Sequence, residues 1–264
     1  MKTINTRGRS IDVPSHVSEL NPRQYEYYCI LASMLGAGHM LVTAFRRRWM
    51  SYLIGMGDTD YTMLRPEYIA EIDSQLAVVD SFLIAEPTPD GVCYRLDFDT
   101  PINLLPDYLG YRGPGDWLNG VTFGEFVECL TVIESMAMAP SSDDVAEGYR
   151  QIARVLYHIP PAEPVPELLG FHAPMLFAAV WQAIQSAPVE INGHKIDFSI
   201  IFRSTGGNRR PDDHTGWTGI TFEVATAGLF GNVGEVERTD FWAVLLYLYK
   251  CKFEYIHETN KTTK

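Results

Sequence analysis

The residues with the most chemical potential in this sequence stand in one polar loop. Its centre is Ser204-Thr205-Gly206-Gly207-Asn208-Arg209, and it closes on Asp212-Asp213-His214. Two carboxylates and an imidazole are the groups that hold a metal or move a proton. Adjacent residues rarely point to one centre, however, and no partner at ligand spacing follows them. The competing reading is a solvated turn ahead of a helix cap at Thr215. The Gly-Gly segment has the composition of a phosphate cradle but lacks the GxxxxGK[ST] pattern, and no GxGxxG occurs in the chain. No G-x-S-x-G supports a serine nucleophile. The four cysteines, Cys29, Cys93, Cys129 and Cys251, form no CxxC pair, which removes the usual zinc and dithiol spacings. His16, His39, His158, His172, His194 and His257 are dispersed, and a lone histidine is more often a structural hydrogen-bonding group than a ligand. No metal and no cofactor is expected.

Arg46-Arg47-Arg48 is the densest positive run. Three consecutive helical residues fan around the circumference and cannot form one stripe. A solvated face with ion pairs is the ordinary reading, and a basic patch for an acidic partner is the alternative.

The densest aromatic set is Trp217, Phe222, Phe230, Phe241, Trp242, Tyr247 and Tyr249. The run Phe241 to Tyr249 is apolar on every side of a helix. Such a helix is either central in the fold or buries a second face against another subunit. On that ground Trp217, Phe222, Phe230, Phe241, Trp242 and Tyr249 are the candidate partner-binding residues.

Thr3 to Val13 reads as an extended entry with a turn at Thr6-Arg7-Gly8-Arg9. Asn21-Pro22 starts a helix that Gly36 and Gly38 stop. A second helix presents Leu41, Phe45, Trp49, Tyr52 and Leu53, with Arg46, Arg47 and Met50 outward. A third starts near Pro66 and carries Ile69, Ile72, Leu76, Val79 and Leu83. Val92 to Phe98 alternates like a strand. Pro101 to Gly120 reads as an ordered loop anchored by Leu104, Leu105, Tyr108 and Trp117. Thr122 and Glu125 make a capping box for the next helix, and Ser142 caps the one after. Further helices are expected over His172 to Ser186, Thr215 to Gly228 and Thr239 to Ile256. Ile196 to Phe202 alternates like a strand, paired with Val189-Glu190-Ile191 across Asn192-Gly193.

The expected fold is mainly α, a helical-bundle type with a few short strands or hairpins. Pro160 to Pro166, with four prolines in seven residues, is the best linker. It would divide a helical domain, 1–160, from a C-terminal helical subdomain with a hairpin, 167–264. Segments 20–54 and 121–158 read as two helix pairs that a duplication would also produce.

The 264 residues are 46% hydrophobic and 20% charged, the proportions of a globular protein able to bury a large core. The net charge of −12 sets the whole chain against phosphate backbones, so a nucleic-acid partner is not expected. The opening residues have no apolar run of signal-peptide length. The longest apolar run, Phe241 to Tyr249, is far below the ~20 residues that span a bilayer. A cytoplasmic or virion-incorporated protein without a membrane partner is the expectation.

Ile11-Asp12-Val13-Pro14, Leu20-Asn21-Pro22-Arg23-Gln24-Tyr25 and Arg48-Trp49-Met50-Ser51-Tyr52-Leu53-Ile54-Gly55 together resemble the opening of uncharacterised proteins of prophages and tailed phages. Val121-Thr122-Phe123-Gly124-Glu125-Phe126 and Val155-Leu156-Tyr157 are similar to later segments of those proteins. Thr215-Gly216-Trp217 and Gly228-Leu229-Phe230-Gly231 look like their C-terminal part. Such proteins are encoded among tail genes. The resemblance implies a tail-assembly chaperone or small virion component and assigns no catalytic residue. The leading expectation is therefore a non-enzymatic phage or prophage assembly protein. It would hold a protein partner, such as another tail or virion protein, through apolar helix faces, and homo-oligomers are allowed. The alternative is a small enzyme, or a metal- or phosphate-binding protein, that uses the 203–214 loop.

Overall fold

The computed structural model describes residues 1–6, 8–36, 38–56, 63–89, 91–138, 141–191, 193–202 and 215–262. The fold is mainly α, and the strands among the described residues form separate two-stranded antiparallel sheets. The chain divides into two compact units, Met1–Thr100 and Pro101–Lys264.

In the first unit, β1 (Lys2–Thr6) and β2 (Arg9–Val13) form a hairpin in the register Thr6↔Arg9, as the turn residues imply. α1 (Pro22–Gly36) starts where expected. Asn21 accepts from Gln24 N at 3.0 Å, and Asn21 N donates to the Gln24 side chain at 3.0 Å, a reciprocal cap. α2 (Val42–Leu53) packs on α1. Its buried arc is wider than one stripe. Met50, expected to face outward, is fully buried beside Trp49, whereas Leu41, ahead of the first turn, is 75% exposed. The core is an aromatic cluster around Tyr28, whose ring lies 5.3 Å from Trp49, 5.6 Å from Phe82 and 5.1 Å from Phe98. The Tyr28 hydroxyl lies 2.8 Å from the Asp97 carbonyl oxygen and so keeps a partner in the core.

The expected third helix is in fact three elements. α3 (Pro66–Asp73) ends at Ser74, a 3₁₀ segment follows over Leu76–Phe82, and β3 (Leu83–Thr88) pairs with β4 (Gly91–Leu96). A three-residue repeat such as Val79 and Phe82, both fully buried, suits a 3₁₀ helix as well as an α-helix. Gln75 stands at the break. Its side chain accepts from Asn5 N at 2.9 Å and donates to Asn5 O at 2.7 Å, serving the free edge of β1. That tertiary contact outweighs continuation of the helix.

In the second unit, α4 (Phe123–Ala137), α5 (Ser142–Tyr157) and α6 (Glu167–Ser186) pack in sequence. Pro160 to Pro166 therefore lies inside a compact unit as the turn between two packed helices. The boundary falls instead at Thr100–Pro101. Arg154 grips that turn, donating to Pro160 O at 3.0 Å and Glu163 O at 2.8 Å. The α5 cap is Ser141 rather than Ser142, accepting from Asp144 N at 3.3 Å.

α6 is long and apolar enough to cross a membrane by length and composition, and half of that window is buried. It packs against α5 and places His172, Leu176, Phe177 and Val180 in the core, as a central helix of a globular unit does.

β7 (Val189–Ile191) and β8 (His194–Ile196) form the expected hairpin, but the strand stops at Ile196. Asp197 accepts from Ser199 N at 3.1 Å and opens a single helical turn, α7 (Ser199–Phe202). A capping carboxylate overrides the alternating pattern there. The last helices are α8 (Gly216–Thr226), α9 (Val233–Arg238) and α10 (Phe241–Thr262). α4 and α10 start from a shared bridge, with Phe123 N donating to Thr239 O at 2.7 Å and Phe241 N to Val121 O at 3.2 Å.

Candidate functional site

The structure divides the six aromatic candidates by burial. Phe241 is fully buried, 4.9 Å ring to ring from Phe126, so it is a core residue and not a contact residue. Trp217 wedges against the same core, 5.8 Å from Phe126 and 5.7 Å from Trp181, and is half-buried. Trp242 donates its indole N–H to Trp117 O at 3.0 Å, and its ring lies 5.7 Å from Phe198. Tyr249 reaches the other side of Phe198 at 5.8 Å. Phe230 sits apart from these, against Tyr247 at 5.7 Å. Phe222 is 54% exposed beside a shallow groove that Gly124, Val127, Val233 and Glu237 also line.

Sequence reasoning missed two residues further along α10. Phe253 and Tyr255 are each 55% exposed. Phe253 stacks on Tyr249 at 5.9 Å and prolongs the aromatic row beyond the core. The first half of α10 buries Phe241, Val244 and Leu245, and from Tyr249 to Glu258 no residue is buried. The helix has 22 residues, about 33 Å long, and only its first half is spent on this unit's core. The Tyr249–Phe253 spacing is the four-residue step of one helix face, the signal that could have revealed this.

The arginine run is not one basic surface. Arg46 pairs with Asp80 at 2.6 Å and lies over the Tyr94 ring at 5.8 Å. Arg47 pairs with Asp73 at 2.8 Å, and Arg48 points to the Met34 sulfur at 3.8 Å. Each guanidinium serves its own neighbour, as the fanned geometry requires. The Arg209, Asp212, Asp213 and His214 candidates lie outside the described residues. Among the described residues no three metal-ligating side chains converge. All four cysteines are free. Burial pushes the Cys29 thiol up to about 12 and raises Cys129 further, so neither is a thiolate at neutral pH.

One concave site emerges that no motif announced. A cleft of about 380 Å³ in the second unit is walled by Arg112, Gly113, Pro114, Gly115, Asn119, Gly120, Val121, Glu125, Leu156 and His158. The loop side begins with β5 (Asp107–Tyr108) and β6 (Tyr111–Arg112), then a 3₁₀ turn at Asp116–Leu118. The helix side is the start of α4 and the end of α5. Glu125 is oriented from behind. Thr122 N and Thr122 Oγ1 donate to its Oε2 at 2.8 and 3.0 Å, leaving Oε1 3.4 Å from Nδ1 of His158. His158 ends α5 in a left-handed conformation, φ 51°. Leu109, Trp117 and Leu118 share that conformation, and with His158 they are all such non-glycine residues among those described. Each costs about 1–2 kcal/mol. The surrounding structure must hold them, and such strain collects at functional sites.

That support is visible. Asn103 Nδ2 donates to Pro114 O at 2.7 Å, while its Oδ1 accepts from Leu105 N at 2.9 Å and lies 2.9 Å from His172 Nε2. The Tyr157 hydroxyl donates to Leu105 O at 2.9 Å. Burial pushes His172 down to about 3, so at neutral pH it is uncharged and Nε2 carries the proton that Asn103 accepts. Comparison with family models, with curated proteins and with solved structures finds no match.

Proposed function

We propose that this protein is a non-enzymatic interaction protein that holds an amphipathic helix of another protein against α8 and the second half of α10. The observation that carries this reading is the unburied half of α10. An isolated helix of that length is marginal in water, and its stability ordinarily comes from burying an apolar face. Here Phe253 and Tyr255 remain more than half exposed, Phe222 does so on α8, and Leu229 is 64% exposed after it. Helix-in-groove recognition uses such aromatic rows as anchors, and aromatic residues dominate contact energetics. The net charge of −12 favours a partner helix with basic flanks. The tailed-phage setting rests on the short motifs scattered along the chain that resemble prophage and tailed-phage proteins. On that setting the partner is a tail or virion protein with a long helical segment, of the kind a tape-measure protein provides.

Co-expression with the products of the genes that flank its own, followed by light scattering of the purified species, tests the reading. A complex containing one of them supports it. A chain that stays strictly monomeric and retains none of them ends it. A homo-oligomer that uses α10 would show that the occupant is a second copy.

A further inference from the structure

We propose that the cleft between the Arg112–Gly120 loop and the facing ends of α4 and α5 is a binding site for a small organic anion, one carboxylate or phosphate group on a compact apolar body. The cleft is separate from the residues invoked for the helix partner.

Three observations converge on it. The first is polar capacity without internal use. Among the described residues the side chains of Arg112 and Asn119 make no hydrogen bond or ion pair, although both line the cleft. An unpaired guanidinium presents a planar fork of donors that matches a carboxylate or phosphate.

The second is the arrangement of His158. Glu125 Oε1 faces Nδ1 at 3.4 Å, and Glu125 is itself held by Thr122. A carboxylate accepting from Nδ1–H holds the neutral ring in that tautomer and leaves Nε2 as an acceptor. His158 is 68% exposed and Glu125 24%, and both line the cleft. Arg112 and Asn119 then supply the donors for the anionic group.

The third is that the walls are built to stay in place. Gly113 meets the Tyr157 ring so closely that a Cβ there would lie 2.4 Å from Cε1. Gly115 N donates to Asn119 O at 2.8 Å, closing the loop on itself. Strained Trp117 and Leu118 lie between those two residues. A pre-formed concave wall with few polar groups is the usual anatomy of a small-ligand site, and the volume falls in the ordinary range of about 300–1,000 Å³. Pro114, Val121 and Leu156 add apolar surface beside the donors, which is why the ligand needs an apolar body as well as a charge.

Titration of the full chain with benzoate and with phenyl phosphate, followed by amide NMR shifts of Gly113, Gly115 and Gly120, tests this. Saturable shifts with either probe are expected, and the tighter probe tells carboxylate from phosphate. Arg112→Gln removes a charge-assisted contact and should weaken binding about tenfold. Its unfolding midpoint should stay put, because the side chain supports nothing else. Asn119→Ala removes the second donor and should also weaken binding. Absence of saturable shifts with both probes overturns the proposal, and so does an Arg112→Gln chain that binds them as the unaltered chain does.

Discussion

Asn103 Oδ1 is the point where the most consequential single-residue contacts of the second unit meet. It takes the Leu105 N–H and faces the neutral His172, while its amide holds Pro114 in the cleft wall. His172 gives this network a pH signature. Burial lowers its pKa from 6.5 to about 3, so between those values the unfolded chain binds a proton that the folded chain refuses. Stability therefore falls as pH drops through that window. Chemical unfolding at pH 7 and pH 5 should differ by about 2 kcal/mol from this residue alone. His172→Gln should lose that part of the slope, and an unchanged slope would show that His172 is not buried as described. Two glycines separate rigid from soft surroundings. A Cβ at Gly113 would strike the Tyr157 ring, pinned through its hydroxyl to Leu105 O at 2.9 Å. A Cβ at Gly148 would come just as close to Met136, at 2.4 Å, but the atom there is a thioether sulfur on a flexible chain. Gly113→Ala should cost about 1–3 kcal/mol in urea unfolding, and Gly148→Ala, in a helix interior, should cost clearly less. Little at this scale was legible in the sequence. Thr122 and Glu125 were readable as a cap, because capping is a local code. His158 looked solitary, because its carboxylate lies on a different helix and no spacing rule joins them.

The helices and hairpins were more legible, and the misreadings have local causes. α1, α2, α4 and the two hairpins at Thr6–Arg9 and Ile191–His194 follow from cap, glycine and alternation signals that act within a few residues. The segment 66–83 was misread because its apolar spacing suits both α and 3₁₀ geometry, and Gln75 breaks it for a contact with Asn5 that sequence proximity cannot reveal. The strand expected through Phe202 was ended by the Asp197 cap. α10 is central over its first half, as one reading of its sequence expects, and carries no buried residue from Tyr249 to Glu258. Its first half packs in the core of the second unit, and its second half leaves Phe253 and Tyr255 more than half exposed. These two roles predict opposite responses to substitution. Phe241→Ala should cost about 3–5 kcal/mol, because it empties a packed aromatic site. Phe253→Ser should change unfolding free energy by less than about 0.5 kcal/mol. Equal losses at the two positions would mean that Phe253 is part of the core.

At the scale of the whole molecule, the helical class was written in the periodicity, but the division of the chain was not. Pro160 to Pro166 has the composition of a linker, yet Arg154 and the packing of α5 on α6 make it a turn within the second unit. Composition records stiffness and cannot record what the flanking helices touch. The chain carries an acidic surface, an uncovered aromatic helix half and a separate walled cleft. Its central role on this account is to hold a partner's helix on α8 and α10. The most direct test is the affinity of the tagged full chain for the products of the genes that flank its own, measured for the unaltered chain and for Phe253→Ser with Tyr255→Ser. The account predicts capture by the unaltered chain and at least a tenfold loss in the double variant, with the thermal midpoints of the two chains alike. Equal capture by both would contradict it.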